Sequence, residues 1–225
     1  MTGDKTGDKT GDEGTPALDT GGFYAMLLRP AVGTRDYLED FAAVMPIHPY
    51  QGRWPTLGAR VFLAPGAHVV GDVTLGDDVS FWFHTAARGD VNFIRIGART
   101  NVQDGTILHV SHVRHPLVIG EGVVIGHQAV VHGCTIEDGA LIGIGARVLD
   151  GAVVERGAQI GAGAVVAPGH RIPAAHLALG IPARVARPLT EEEVRRIAET
   201  ADRYAALKEQ YRETMGSGTE EREMS

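Results

Sequence analysis

Cysteine is nearly absent: Cys134 is the only one in 225 residues. No intrachain disulfide framework is available, and a reducing compartment suits the chain. Lysine is missing between residues 22 and 189, where thirteen arginines stand against thirteen Asp and Glu. That neutrality excludes a basic face large enough for a nucleic-acid backbone, and it assigns the net charge of −7 to the two ends of the chain. No apolar run approaches the roughly 18 residues that span a bilayer, and the opening Met-Thr-Gly-Asp-Lys lacks the apolar stretch of a signal peptide. The expectation is a cytoplasmic protein with no membrane and no nucleic-acid partner.

What the chain has in excess is glycine, 30 of 225 residues, nearly twice the usual share of about 7%. Part of it lies in residues 1–21, where Thr-Gly-Asp-Lys repeats. So polar a run cannot bury enough surface to offset ordering its backbone, and it reads as a disordered tail. Residues 22–56 read as an irregular lead-in with one or two short helices.

From residue 57 an apolar residue recurs every six positions, a period that neither a helix nor a simple alternating strand produces. The series is Leu57, Leu63, Val69, Leu75, Phe81, Ala87; Ile96, Val102, Leu108; Ile119, Ile125, Val131; and Ile136, Ile142, Val148, Val154, Ile160, Val166, Ile172. Its breaks, after Ala87, Leu108 and Val131, always fall after a multiple of three hexads. Three hexads per coil of a triangular prism place every irregularity at one corner. Six residues per face, a short parallel strand and a turn, give the glycines a use at the corners. The apolar column then fills the prism over 57–187, while each strand bonds to the coils above and below.

The pattern resembles the hexapeptide-repeat proteins, which implies a mainly β fold, a single-stranded left-handed parallel β-helix; handedness follows from the resemblance alone. Gly180-Ile181-Pro182-Ala183-Arg184 is similar to the exit segment of that group. Thr190 and Glu193 then form a capping box, and Val194, Ile197, Ala198, Ala201 and Ala205 make an apolar stripe at helical spacing. A C-terminal α-helix is expected over 188–213, with 214–225 frayed.

Addresses on the prism single out a few polar residues. Arg88, His109 and His132 each follow an inward residue of the third face, so in successive coils they form one outward column. Coils about 4.8 Å apart let His109 and His132 share an ion at roughly 2.0–2.1 Å from each. His127 lies two residues after Ile125 on the second face, the address of Asp104 one coil earlier. It cannot easily reach the third-face pair of its own prism, but a neighbouring subunit of a cyclic assembly can bring it there. Three histidines with an open fourth position are the catalytic form of a zinc site. The same geometry brings Asp104 and Gln103 of one chain towards Arg88 of the next, where Arg88 and Asp104 can pair in bidentate fashion.

Arg88-Gly89-Asp90, Thr100-Asn101-Val102-Gln103-Asp104-Gly105, His109, Gly126-His127 and His132-Gly133-Cys134 resemble the motifs of the γ-class carbonic anhydrase family. The resemblance covers roughly 50–190. It implies a homotrimer with Zn²⁺, or Fe²⁺ or Co²⁺, held between subunits by His109, His127 and His132. It also implies Arg88 and Asp104 as the interface ion pair, Asp90 as a second interface aspartate and Gln103 as partner of the metal's water. The activity implied is hydration of CO₂ to bicarbonate by a metal-bound hydroxide.

Two places depart from the family pattern. Val91 stands where the archetype has a glutamate proposed as proton shuttle, and Val110-Ser111-His112-Val113-Arg114-His115-Pro116 replaces a long acidic loop. His112 or His115 either moves protons there or is a solvated loop residue. Two other functions use the same fold: an acyl-CoA thioesterase or acyltransferase, and a non-catalytic scaffold subunit stapled by the metal. Cys134 reads as a small corner residue, and His48, His68, His84, His170 and His176 carry no partner pattern.

Overall fold

The computed structural model describes residues 46–223, with side chains through residue 215. The tail over 1–21 and most of the lead-in lie outside the described residues. The chain winds as a parallel β-solenoid closed by one helix. Coils stack in the register that the six-residue period requires: Ile96 pairs with Ile119, Ile119 with Ile136, Ile136 with Val154 and Val154 with Ile172. A second face aligns Phe81, Val102, Ile125, Ile142 and Ile160, and a third aligns Val69, Ala87, Leu108, Val131, Val148 and Val166. These side chains are buried and form one continuous core. Burying such columns at about 25 cal/mol per Å² supplies the main driving force for winding.

Parallel pairing begins earlier than expected. Ile47–His48 already pairs with Val69 and Val70, ten residues before the regular period starts. Two strands are also longer than a hexad, His68–Leu75 and Ala86–Ile96. They run through a corner without a break, which joins two faces of the prism into one 12-stranded sheet and leaves the remaining face as an 8-stranded sheet. The prism ends in an antiparallel pair, His176–Leu179 with Arg184–Pro188.

Glycine serves the corners where the backbone turns left-handed, as at Gly139 and Gly157. The first coils reach the same conformation with Arg60, Asp78 and Arg99. Arg60 and Asp78 are ion-paired across coils at 2.6 Å, so this corner trades backbone strain for a charge contact.

The helix, here α1, spans Glu191–Glu223. Thr190 Oγ1 accepts from the Glu193 N–H at 3.2 Å and Glu193 Oε2 accepts from the Thr190 N–H at 2.9 Å, the reciprocal bonds of a capping box. Its C-terminal end lies beyond the expected 213, because no proline interrupts the N–H···O=C ladder after Pro188. The buried stripe also differs. Ile197 and Ala201 are buried, whereas Val194 and Ala198 are exposed. The stripe continues through Tyr204, Leu207 and Tyr211, which pack on Phe62, Ala64, Trp82 and Phe83. Trp82 is the hub, with ring centroids 5.3 Å from Tyr204 and 5.1 Å from Tyr211 in edge-to-face geometry. Position 208 of that stripe holds the buried Lys208, whose ammonium donates to Asp78 Oδ1 at 3.0 Å and to the Arg60 carbonyl at 3.1 Å. No helix among the described residues is long and apolar enough to cross a membrane.

Candidate metal centre

His109 and His132 sit in register on neighbouring coils, as do Arg88 and His109. The column read from the sequence is therefore present, with imidazole centroids 5.0 Å apart. His109 Nε2 lies 3.0 Å from Asp90 Oδ1, and His132 Nδ1 lies 2.6 Å from Asp150 Oδ1. The two remaining ring nitrogens, His109 Nδ1 and His132 Nε2, face each other at 3.0 Å.

Burial pushes the Asp90 carboxyl up, but the bonds from His109, the Val91 N–H and Arg88 outweigh it and hold the group below its ordinary value. For Asp150 burial likewise acts upward, and Ser111 and His132 bring the carboxyl down. Ionised carboxylates only accept hydrogen bonds, so each must be met by a protonated ring nitrogen. With both rings neutral, the facing nitrogens both present lone pairs, and a shared proton or a metal ion between them satisfies the contact. Burial, helped by the Arg88 charge and opposed by Asp90, lowers the pKa of His109 and so favours the neutral ring that a metal requires. A tetrahedral ion bonded at about 2.0–2.1 Å needs ligand nitrogens about 3.3 Å apart. The observed 3.0 Å is within a few tenths of that, and the donor set fits a transition metal.

His127 stands apart from this pair. It follows Val124–Ile125, a strand of the 8-stranded sheet, whereas the pair belongs to the 12-stranded one. Among the described residues, no three His, Cys, Asp or Glu side chains of one chain gather into a metal site. Yet His127 repeats the arrangement of the other two. Its Nδ1 lies 2.8 Å from Asp104 Oδ2, which leaves Nε2 free. Within the chain Arg88 is paired with Asp90, and Asp104 with His127.

Gln103 is 5% exposed and donates through Nε2 to Asn101 Oδ1 at 3.1 Å, leaving its carbonyl oxygen as a free acceptor. Among the described residues, the Asn101 amide nitrogen is the buried side-chain atom that has no hydrogen-bond partner. A cavity of about 430 Å³ is lined by Gln103, Gly126, His127, Ile144 and, from α1, Arg203 and Tyr204. Gly126 is required there by close approach, since a Cβ would come within 2.8 Å of the Ile144 nitrogen.

Sequence reasoning missed three features of this region. Tyr204 was legible as a continuation of the helical stripe at 197, 201, 204 and 208. Asp150 carried no signal beyond its place one coil after Gly133. His48 and His68 also face each other, with ring nitrogens 3.1 Å apart. Burial pushes the Cys134 thiol far up, which keeps it an inert corner residue.

Residues 133–168 match the family described as bacterial transferase hexapeptide (six repeats). The chain is 55% identical over 153 residues to a Methanocaldococcus jannaschii protein named a probable carbonic anhydrase, covering 68% of this chain and 96% of that one. It is 43% identical over 166 residues to a carbonic anhydrase of Geobacillus kaustophilus, covering 74% and 91%. Among solved structures, a hexapeptide transferase family protein from Anaplasma phagocytophilum superposes with a TM-score of 0.71 at 38% identity, covering 73% of this chain and 97% of that one.

Proposed function

Because the chain belongs to the γ-class carbonic anhydrase-like family of hexapeptide-repeat proteins, we propose that it hydrates CO₂ to bicarbonate at sites shared between subunits of a cytoplasmic homotrimer. His109 and His132 of one subunit and His127 of the next would hold Zn²⁺, or Fe²⁺ or Co²⁺ in its place. The observation that carries this reading is the repeated carboxylate–histidine pairing: Asp90, Asp104 and Asp150 each occupy one nitrogen of a different imidazole. All three rings are thereby left with one free lone pair, the form in which histidine ligates a metal.

Bound there, a divalent ion supplies a water acidified to near neutral pH and a Lewis acid for oxygen. The rest of the chemistry belongs to the chain. Gln103, with its amide donor engaged by Asn101, offers its carbonyl oxygen to orient a water proton. The unpartnered Asn101 amide offers a donor to a substrate oxygen. Arg88 keeps half of its side chain exposed, and Asp104 has an oxygen to spare beyond its contact with His127. A bidentate pair between them across the interface is compatible with both intrachain contacts. The apolar wall of Gly126 and Ile144 beside His127 suits an uncharged, linear substrate.

Elemental analysis should find about one transition metal per chain, and stopped-flow hydration on metal-replete protein should be lost in His109→Ala. Metal-replete protein that retains no transition metal would sink the proposal. The transferase relatives favour a second reading, an acyl-group enzyme, and metal-independent turnover of an acyl-CoA panel would select it. Full metal occupancy without either activity would leave a scaffold subunit.

A further inference from the structure

The loop that replaces the family's acidic segment contains the partner of a partner. His132 Nδ1 is held by Asp150 Oδ1 at 2.6 Å, and Asp150 Oδ2 accepts from the Ser111 hydroxyl at 2.6 Å. Ser111 is itself tied down twice: its N–H donates to the His115 carbonyl at 3.0 Å, and its carbonyl accepts from Asn92 Nδ2 at 3.2 Å. Gly133 makes room for the carboxylate, since a Cβ there would lie 2.4 Å from Asp150 Oδ1. Both carboxylate oxygens are thus committed, one to the loop and one to the ring.

We propose that Asp150, anchored by Ser111, is a positioning residue that fixes His132 with its proton on Nδ1 and its Nε2 lone pair directed at His109. The inference rests on the metal site proposed above. It gives the loop a role distinct from proton transfer: Ser111 sets the rotamer of Asp150, and Asp150 sets the tautomer and angle of a ligand. His109 is oriented in the same way from the other side by Arg88 and Asp90. The two rings therefore keep their facing geometry before any ion arrives, which reduces the ordering cost of binding. Partners of this kind typically contribute about 10–100-fold in metal affinity.

The test compares wild type, Asp150→Asn and Ser111→Ala as full-length proteins. Zinc affinity is read by competition with a chromogenic chelator, ligand geometry by the visible spectrum of the Co²⁺ forms, and folding by melting of the metal-free proteins. Asp150→Asn can present its amide N–H₂ to Nδ1 and force the proton onto Nε2. It is expected to bind zinc about 10–100-fold more weakly and to shift the Co²⁺ spectrum, with metal-free melting unchanged. Ser111→Ala, which keeps the carboxylate, should move both readouts the same way by less. If Asp150→Asn does not fold, Ser111→Ala alone decides.

Variants that keep wild-type affinity and spectrum would overturn the proposal, as would an affinity loss matched by an equal loss of metal-free stability. Wild-type protein that takes up no ion would overturn this inference and the metal site together. Wild-type protein that takes up zinc but hydrates no CO₂ would remove the proposed reaction and leave the clamp standing.

Discussion

Lys208→Met is the sharpest test of how α1 is held on the prism. Lys208 is 1% exposed and occupies a position of the helical stripe that the pattern reserves for an apolar side chain. Methionine keeps most of the aliphatic packing and removes the ammonium. The change deletes three bonds, to Asp78 Oδ1 at 3.0 Å, to the Arg60 carbonyl at 3.1 Å and to Glu209 Oε1 on the helix itself. A hydrogen bond to a charged group is worth about 1.5–3 kcal/mol. Asp78 is not orphaned, because Arg60 still donates to both of its oxygens at 2.9 and 2.6 Å. The burial cost of the ammonium also disappears, which offsets part of the loss. The balance is a destabilisation of about 2 kcal/mol. Urea unfolding at fixed protein concentration would measure it, followed by circular dichroism and by the emission of Trp82, which Tyr204 and Tyr211 cover. A double-mutant cycle with Asp78→Asn isolates the pair term, expected at 0.5 kcal/mol or more as is usual for residues in contact. A change within about 0.5 kcal/mol, the scatter of ordinary surface substitutions, would refute the claim that this lysine pins the helix.

Three further outcomes are expected. Arg60's hydrogen bonds, against burial and with help from Lys208, hold the Asp78 carboxyl well below the usual carboxylate range. Its stability contribution is therefore complete above the unfolded value of about 3.9 and declines as pH falls further, and in Asp78→Asn that decline of the urea midpoint should flatten. Gly133→Ala meets Asp150 Oδ1 at 2.4 Å and Gly139→Ala meets nothing within 4 Å, though both have positive φ. Thermal melting should fall more for Gly133→Ala, and only that variant should lose metal uptake. Phe81→Ala empties a fully buried position in the middle of a face and should cost about 3–5 kcal/mol in chemical unfolding.

Much of the fold was legible because a solenoid repeats one local solution. The six-residue period named the inward column from Val69 to Ile172, and the breaks after Ala87, Leu108 and Val131 placed His109 and His132 in register. The early strand Ile47–His48 was hidden because it precedes the period and relies on Val69 and Val70 for its bonds. The buried face of α1 shifted because Trp82 and Phe62, aromatics outside the inward column, chose which side of the helix to receive.

The chain's own sequence determined the coil, the column of outward histidines and the neutrality of the prism, since all three follow from which residue type recurs at which step. It could not determine who holds whom. Asp150 reaches His132 and Lys208 reaches Asp78 only once coils and helix are stacked. Those contacts join residues 18 and 130 positions apart; the coil period brings Asp150 beside His132 without saying which atoms meet, and no period brings Lys208 to Asp78. The tertiary structure alone decided that each candidate ligand has one ring nitrogen held by a carboxylate and the other turned away from it, because carboxylate oxygens must find donors wherever folding leaves them.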